Sequence, residues 1–158
     1  MTTNYFEYNK AKVIQALRYH FISRKEIKIM MILVNVFALL SASLFFMRKI
    51  TPVAFLLSSF LWFLMMILFW FLLPRIIYRK SPSFKEKYRI KIDDNALTVE
   101  SERGSRSFNW QDFFSWMESP HFFHVYFNAT SFFLIPKETF EGELEHQARN
   151  YFKEKIKK

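Results

Sequence analysis

IMMILVNVFALLSASLFFM, the run from Ile29 to Met47, holds no charged residue in 19 positions, and VAFLLSSFLWFLMMILFWFLL, from Val53 to Leu73, holds none in 21. At the helical rise these lengths come to about 28 and 31 Å, which matches a hydrocarbon core of roughly 30 Å. Only Arg48-Lys49-Ile50-Thr51-Pro52 separates them. Pro52 stands where a helix can begin, because the N–H it lacks would be unbonded there, and Pro74 stands where the second helix should stop. The stretch reads as a membrane α-helical hairpin over residues 29–73, with transmembrane spans 29–47 and 53–73. Ser41-Ala42-Ser43 has the small-x-small character of a signal-peptide cleavage site. A charged leader of 28 residues and a second apolar run close behind do not suit a secretory signal, so the first span reads as retained.

Two helices in lipid need small side chains where their backbones approach. Ala38 and Ala42 lie four apart, as do Ala54 and Ser58, and with Asn35 and Ser41 they form the expected seam, leaving Phe and Trp to face lipid. Asn35 is the one strongly polar side chain within a span. It reads as an interhelical hydrogen bond, because a single neutral amide makes no ion or substrate pathway.

Outside the spans the charge is one-sided. Lys10, Lys12, Arg18, Arg24, Lys25 and Lys28 precede the first, Arg75, Arg79, Lys80, Lys85, Lys87, Arg89 and Lys91 follow the second, and the turn carries only Arg48 and Lys49. Short-flank cations favour the cytoplasmic side, so both termini are expected there. Lys25, Lys28, Arg75, Arg79, Lys80, Lys85 and Lys87 form a basic collar expected against anionic head groups, which makes the lipid bilayer the first expected partner. The same asymmetry accounts for the net charge of +9 and leaves no surplus to assign to nucleic acid.

Composition agrees with this division. The 158 residues are 51% hydrophobic and 20% aromatic, with 21 Phe against 2 Gly, unlike an ordinary soluble domain. The absence of cysteine excludes disulfides, thiolate nucleophiles and Cys-ligated metals.

The remaining sequence falls into residues 1–28, a basic linker 74–87 and a block 88–158. Tyr5-Phe6-Glu7-Tyr8 reads as a short strand, and Ala11, Ile14, Leu17 and Phe21 recur at helical spacing. The first segment is expected to pack with the C-terminal block. In that block Tyr88, Ile90 and Ile92 alternate, Asp93-Asp94-Asn95 is a turn, and Leu97 and Val99 alternate again. Further strands are expected at Ser107–Trp110, Ser115–Glu118, His121–Phe127 and Ser131–Ile135, giving one antiparallel sheet of about five strands. Thr139 is placed to cap a final helix with Phe140, Leu144, Ala148, Phe152 and Ile156 on its apolar face, acids in its first half and Lys153, Lys155, Lys157 and Lys158 in its last turns. The outcome is a small α+β domain.

Chemistry is sparse. Glu118, His121 and His124 imitate a metal motif, but residues three apart on a strand point to opposite faces, so no metal site is expected. His124 should share a face with Tyr126, and Phe123, Val125 and Phe127 the other. His20 and His146 read as surface or membrane-edge residues. Asp93 and Asp94 have the chemistry of a turn, and the isolated Gly104 and Gly142 build no phosphate loop or nucleophile elbow. No catalytic residue, cofactor or metal is assigned, and the chain is read as no enzyme.

Two spans followed by Leu97-Thr98-Val99, Phe108-Asn109-Trp110-x-x-Phe113, Val125-Tyr126-Phe127 and Phe133-Leu134-Ile135-Pro136-Lys137-x-x-Phe140 resemble the bacterial YcxB-like membrane proteins. The resemblance runs over nearly the whole chain, and its motifs are structural. It implies a pleckstrin-homology-like cytoplasmic sheet closed by a terminal helix, in a protein of the bacterial inner membrane, and it transfers no catalytic residues. The expected function is a membrane-anchored, non-catalytic interaction or regulatory module with a protein partner. The alternatives are an immunity protein that neutralises a toxin and, less favoured for want of a site, a lipid head-group enzyme.

Overall fold

The structure is a computed structural model, and it describes residues 1–156; Lys157 and Lys158, assigned above to the last helical turns, lie outside the described residues. The chain divides into two units, Leu17–Lys80 and Met1–Ala16 with Ser81–Lys158. Helix α1 (Lys10–Ser23) runs from the second of these into the first.

In the unit Leu17–Lys80, α2 (Lys25–Phe46) and α3 (Pro52–Ile67) form an antiparallel hairpin. Thr51 caps α3 by accepting a hydrogen bond from the Ala54 N–H at 3.3 Å, with Pro52 in the first helical turn. Arg48 takes a left-handed conformation, φ 55°, in the turn. Helix α2 begins at Lys25, four residues before the charge-free run, because absence of charge bounds what can lie in lipid and not where helical hydrogen bonding starts. Two helices, Lys25–Phe46 and Pro52–Lys80, are long and apolar enough to cross a membrane.

Pro74 does not end the second helix. A π-helical turn, Leu68–Leu72, follows α3, and α4 (Leu73–Lys80) carries the helix straight through the proline. Pro74 has no N–H to give the Trp70 carbonyl four residues back. Arg18 supplies the missing donor: its Nε donates to the Trp70 oxygen at 2.9 Å, and its guanidinium lies over the Trp70 and Phe71 rings at 5.2 and 5.6 Å.

The less exposed positions of α2 include Ile27, Met30, Met31, Val34, Ala38, Ser41, Ala42 and Phe45, and those of α3 include Phe55, Ser58, Ser59, Trp62 and Met65. Both sets recur every three or four residues, the pattern of two helices sharing a seam. Ser58 donates to the Phe55 carbonyl, which leaves Ser41 to donate to Ser58 Oγ at 2.5 Å. Phe45 stacks on Phe55 with centroids 4.6 Å apart. Two corrections follow. Ala54 is exposed in the first turn of α3, and Phe55 takes the seam position instead. The seam also contains aromatic side chains, because stacked rings fill the space at its turn end as small residues do at its middle.

In the other unit, among the described residues, six strands make two three-stranded antiparallel sheets in place of the single sheet expected. The first has the order β1 (Tyr88–Ile92), β2 (Ala96–Ser101), β3 (Gly104–Asn109); the second has β4 (Ser115–Glu118), β5 (Phe122–Tyr126), β6 (Phe132–Pro136). A 3₁₀ turn at Trp110–Asp112, closed by reciprocal bonds between Asn109 and Asp112, breaks the ladder between them. Trp110 Nε1 donates to the Asp93 carbonyl at 3.0 Å, so this indole ties the turn between the sheets to the first hairpin.

The expected N-terminal strand is reduced to two isolated bridges, Thr2 with Lys91 and Phe6 with Tyr88. The backbone N–H of Thr3 and that of Phe6 donate to β1 carbonyls at 2.9 and 2.8 Å. Helix α5 (Leu144–Lys155) begins four residues later than Phe140, since Thr139 Oγ1 donates to the Pro136 carbonyl within a 3₁₀ turn and Gly142 then takes φ 57°. Ile90, Ile92, Leu97, Phe123, Val125, Ile135, Ala148 and Phe152 form the centre of the core, each at most 2% exposed. β5 is buried on both faces: Phe123 and Val125 face that core, and Tyr8 lies against the opposite face, 6.3 Å from Phe122, its hydroxyl donating to the Leu134 carbonyl at 2.6 Å.

Candidate functional site

Glu118 carries the strongest electrostatics of the sheet unit. At the end of β4 its carboxylate accepts from Lys137 Nζ at 2.5 Å and from Arg149 Nε and Nη2 at 2.9 and 2.8 Å. Arg149 also donates to Glu145, one helical turn back on α5, at 2.6 Å. Both cations sit over the Phe123 ring, at 5.4 and 5.7 Å, so the cluster seals one side of the core. The Arg149 hydrogen bonds, opposed by partial burial and reinforced by Lys137, push the Glu118 carboxyl down to about 2. A carboxylate held this firmly is a structural clamp, with two negative and two positive groups in balance. It joins β4, the end of β6 and α5. Sequence spacing placed Glu118 beside two histidines and did not find its partners, which are 19 and 31 residues away.

His124 occupies the face of β5 that the alternation assigns it, with Tyr126 stacked at 6.4 Å and 14°. The structure adds a partner that spacing overlooked: His124 Nε2 lies 2.9 Å from Ser119 Oγ. A serine beside an imidazole is the raw material of a nucleophile and base. Here Ser119 is 5% and His124 0% exposed, and Ser119 Oγ also lies 3.2 Å from the Phe122 carbonyl, so the pair is sealed in the fold and closes the β4–β5 turn. Among the described residues no three His, Asp or Glu side chains gather as a metal site would require.

His20 is a correction. Of the surface or membrane-edge reading the surface part fails: His20 is 4% exposed, and burial, with a smaller contribution from the Arg24 charge, pushes its imidazole down to about 4. Its place on the apolar stripe of α1, three residues after Leu17, was the signal available for this.

The hairpin residues divide. Asn35 Nδ2 donates to the Met31 carbonyl at 2.7 Å and its Oδ1 accepts from Trp62 Nε1 at 3.3 Å, so the amide ties α2 to α3. Ala38 and Ala42 lie on the seam with Ser58. Lys25, Lys28, Arg75, Arg79, Lys80 and Lys85 are exposed, and among the described residues none of these six makes an ion pair. Lys87 differs, because its Nζ pairs with Glu7 at 2.8 Å and is held up in pKa by that bond.

The turn at Trp110, the Ile135-Pro136-Lys137 passage and the core positions of α5 are the elements by which this fold can be compared with others. Residues 92–152 match the family model described as YcxB-like protein. The YcxB-like segment begins at the last residue of β1 and ends within α5, and it contains the four motifs after the spans on which the resemblance was drawn. It does not extend to the hairpin or the N-terminal segment. Its motifs have structural roles here: Lys137 holds Glu118, Phe140 is core, and Trp110 anchors the turn between sheets. No curated protein and no solved structure gives a significant match.

Proposed function

We propose that this protein is a membrane-anchored, non-catalytic interaction module, in which the α2–α3 hairpin spans the bacterial inner membrane and a pleckstrin-homology-like sheet domain is presented on the cytoplasmic side to a protein partner. The observation that carries the reading is the exposure of the apolar helices. Leu33, Leu39, Leu40, Phe46, Val53, Leu56, Leu57, Phe60 and Phe63 are all more than half exposed. Apolar surface of that extent is unfavourable in water at about 25 cal/mol per Å² and has lipid as its natural solvent. The absence of a catalytic role is supported by where the reactive groups lie, since Glu118 is consumed by two cations and Ser119 and His124 are enclosed.

The test uses the full chain expressed in bacterial cells. Membranes washed with alkaline carbonate are expected to retain the protein, and photoreactive side chains placed at exposed positions of the sheet domain are expected to give discrete protein adducts. Release by carbonate would overturn the anchor. Retention without any adduct would overturn the partner.

A further inference from the structure

The two edges of the first sheet are treated differently by the chain. β1 is covered by the N-terminal bridges at Thr2 and Phe6, whereas β3 pairs only with β2 among the described residues and is exposed along almost its whole length. Alternate residues of such a strand turn their N–H and C=O groups outward, where another strand can pair with them. β3 carries no proline or lysine to block that pairing.

Beside this edge lies a groove of about 390 Å³ between the sheets, with Tyr88, Val99, Phe108, Phe127 and Phe133 among its walls. Directly opposed residues of antiparallel strands share a face, so the register Ser101↔Gly104, Val99↔Arg106, Leu97↔Phe108 puts Gly104, Arg106 and Phe108 on the groove side of β3. An arginine opposite a valine that is only 9% exposed is out of place as packing. Arg106 lies over Phe108 at 5.1 Å and is exposed at the mouth of the groove. The neighbouring Arg103 is paired with Glu86 at 3.2 Å, so Arg106 is the cation there that makes no ion pair among the described residues. A Cβ at Gly104 would meet nothing within 4 Å, so there is open space above the strand start.

We infer that the β3 edge is the docking site for an extended segment of the protein partner, which adds as an antiparallel strand, sets an acidic side chain against Arg106 and lays apolar side chains two residues to either side over Phe108 and Gly104. This rests on the interaction-module reading and names its surface. Backbone pairing supplies the attachment, and the alternate side chains entering the groove supply selectivity. The charge decides the occupant: two copies paired through β3 with their groove faces on one side would bring Arg106 opposite or diagonal to its own copy, a like-charge contact that disfavours self-pairing.

The test uses the isotope-labelled full chain in neutral-lipid nanodiscs with two probes, acetyl-SVTETVS-amide and acetyl-SVTKTVS-amide. At millimolar concentration the glutamate peptide is expected to slow hydrogen exchange at alternate amides of β3 by about fivefold or more, with the lysine peptide far weaker. Arg106→Glu should reverse that preference while leaving exchange in β1 and β5 unchanged. Equal action of both peptides, or no protection of β3 by either up to about 5 mM, would overturn the proposal. So would protection that appears without peptide, either on raising protein concentration, which would indicate a second copy, or on changing to anionic lipid. If the peptides fail while photoreactive groups on α5 still capture discrete partner adducts, the docking edge is wrong and the interaction module stands; loss of both removes the module itself.

Discussion

At Glu118 a single carboxylate joins three elements, and its removal has a calculable sign. The free side chain titrates near 4.5 and the folded one at about 2, so the unfolded chain takes up the proton first as pH falls. The stability Glu118 contributes is therefore complete above pH 4.5 and drains away towards pH 2. Glu118→Gln should flatten this acid limb, and at neutral pH it should cost about 2 kcal/mol, because a neutral amide keeps one acceptor oxygen but sets a donor NH2 and no charge against Lys137 and Arg149. Thermal unfolding in detergent across this pH range checks both, and an unchanged acid limb in the variant would remove Glu118 from the account. His20 acts in a separate window with the same sign. Its ordinary 6.5 falls to about 4 in the fold, so stability is lost as pH drops from 6.5 to 4, and His20→Gln should make the protein less sensitive there. The burial behind the His20 behaviour had a signal in the apolar stripe of α1, whereas the Glu118 clamp was not legible in the sequence. Strand alternation speaks only to neighbours such as His121 and His124, whereas a clamp across 19 and 31 residues depends on how β4, β6 and α5 meet. Asn35 was more readable, because a lone amide in an apolar helix has few partners other than the helix beside it.

Helix α4 shows what local rules miss at the scale of an element. Proline at position 74 was read as a stop because it withdraws a donor, and the withdrawal is real; what the rule cannot see is Arg18, 52 residues away, replacing the donor at the Trp70 carbonyl. The two residues should therefore be coupled. Arg18→Ala leaves the Trp70 oxygen without that donor and is expected to destabilise the hairpin by about 1–2 kcal/mol. Pro74→Ala restores a backbone N–H, so the double variant should recover part of the loss, a non-additivity visible in a double-mutant cycle of unfolding midpoints in nanodiscs. Strictly additive effects would mean that the Arg18 contact does not compensate for the proline. The strands of residues 88–136 were easier to read, since period-2 alternation and the Asp93-Asp94-Asn95 turn are local. Their division into two sheets was not, because it depends on Trp110 reaching back to the Asp93 carbonyl. Thr139 misled in a similar way: a good capping residue was used by a 3₁₀ turn while Gly142 delayed the helix.

At the scale of the whole molecule, the hairpin interrupts a domain whose two parts, Met1–Ala16 and Ser81–Lys158, belong to one unit. The first part contributes the Met1 ammonium donating to the Ile92 carbonyl at 2.8 Å, the Thr2 and Phe6 bridges and the Tyr8 hydroxyl bond, all to residues beyond position 87. Deleting residues 2–9 should lower the unfolding midpoint of the domain in detergent by about 10–20 °C, since about 2–3 kcal/mol of contacts is lost from a small core. The same arrangement constrains topology. Segments that hydrogen-bond across the insertion have to lie on one side of any membrane the hairpin enters, which requires an even number of crossings. Two helices long and apolar enough to cross would satisfy that parity, and the orientation proposed above rests on thirteen cations in the outer flanks against two in the turn. Because the chain has no cysteine, single replacements report cleanly. In intact cells an impermeant thiol reagent should label Ile50→Cys and leave Asn4→Cys and Gln147→Cys untouched until the membrane is permeabilised. Labelling of Asn4→Cys and Gln147→Cys together from outside would invert the orientation. Labelling of only one of them would break the parity, and with it the placement of Thr2 and Phe6 against β1.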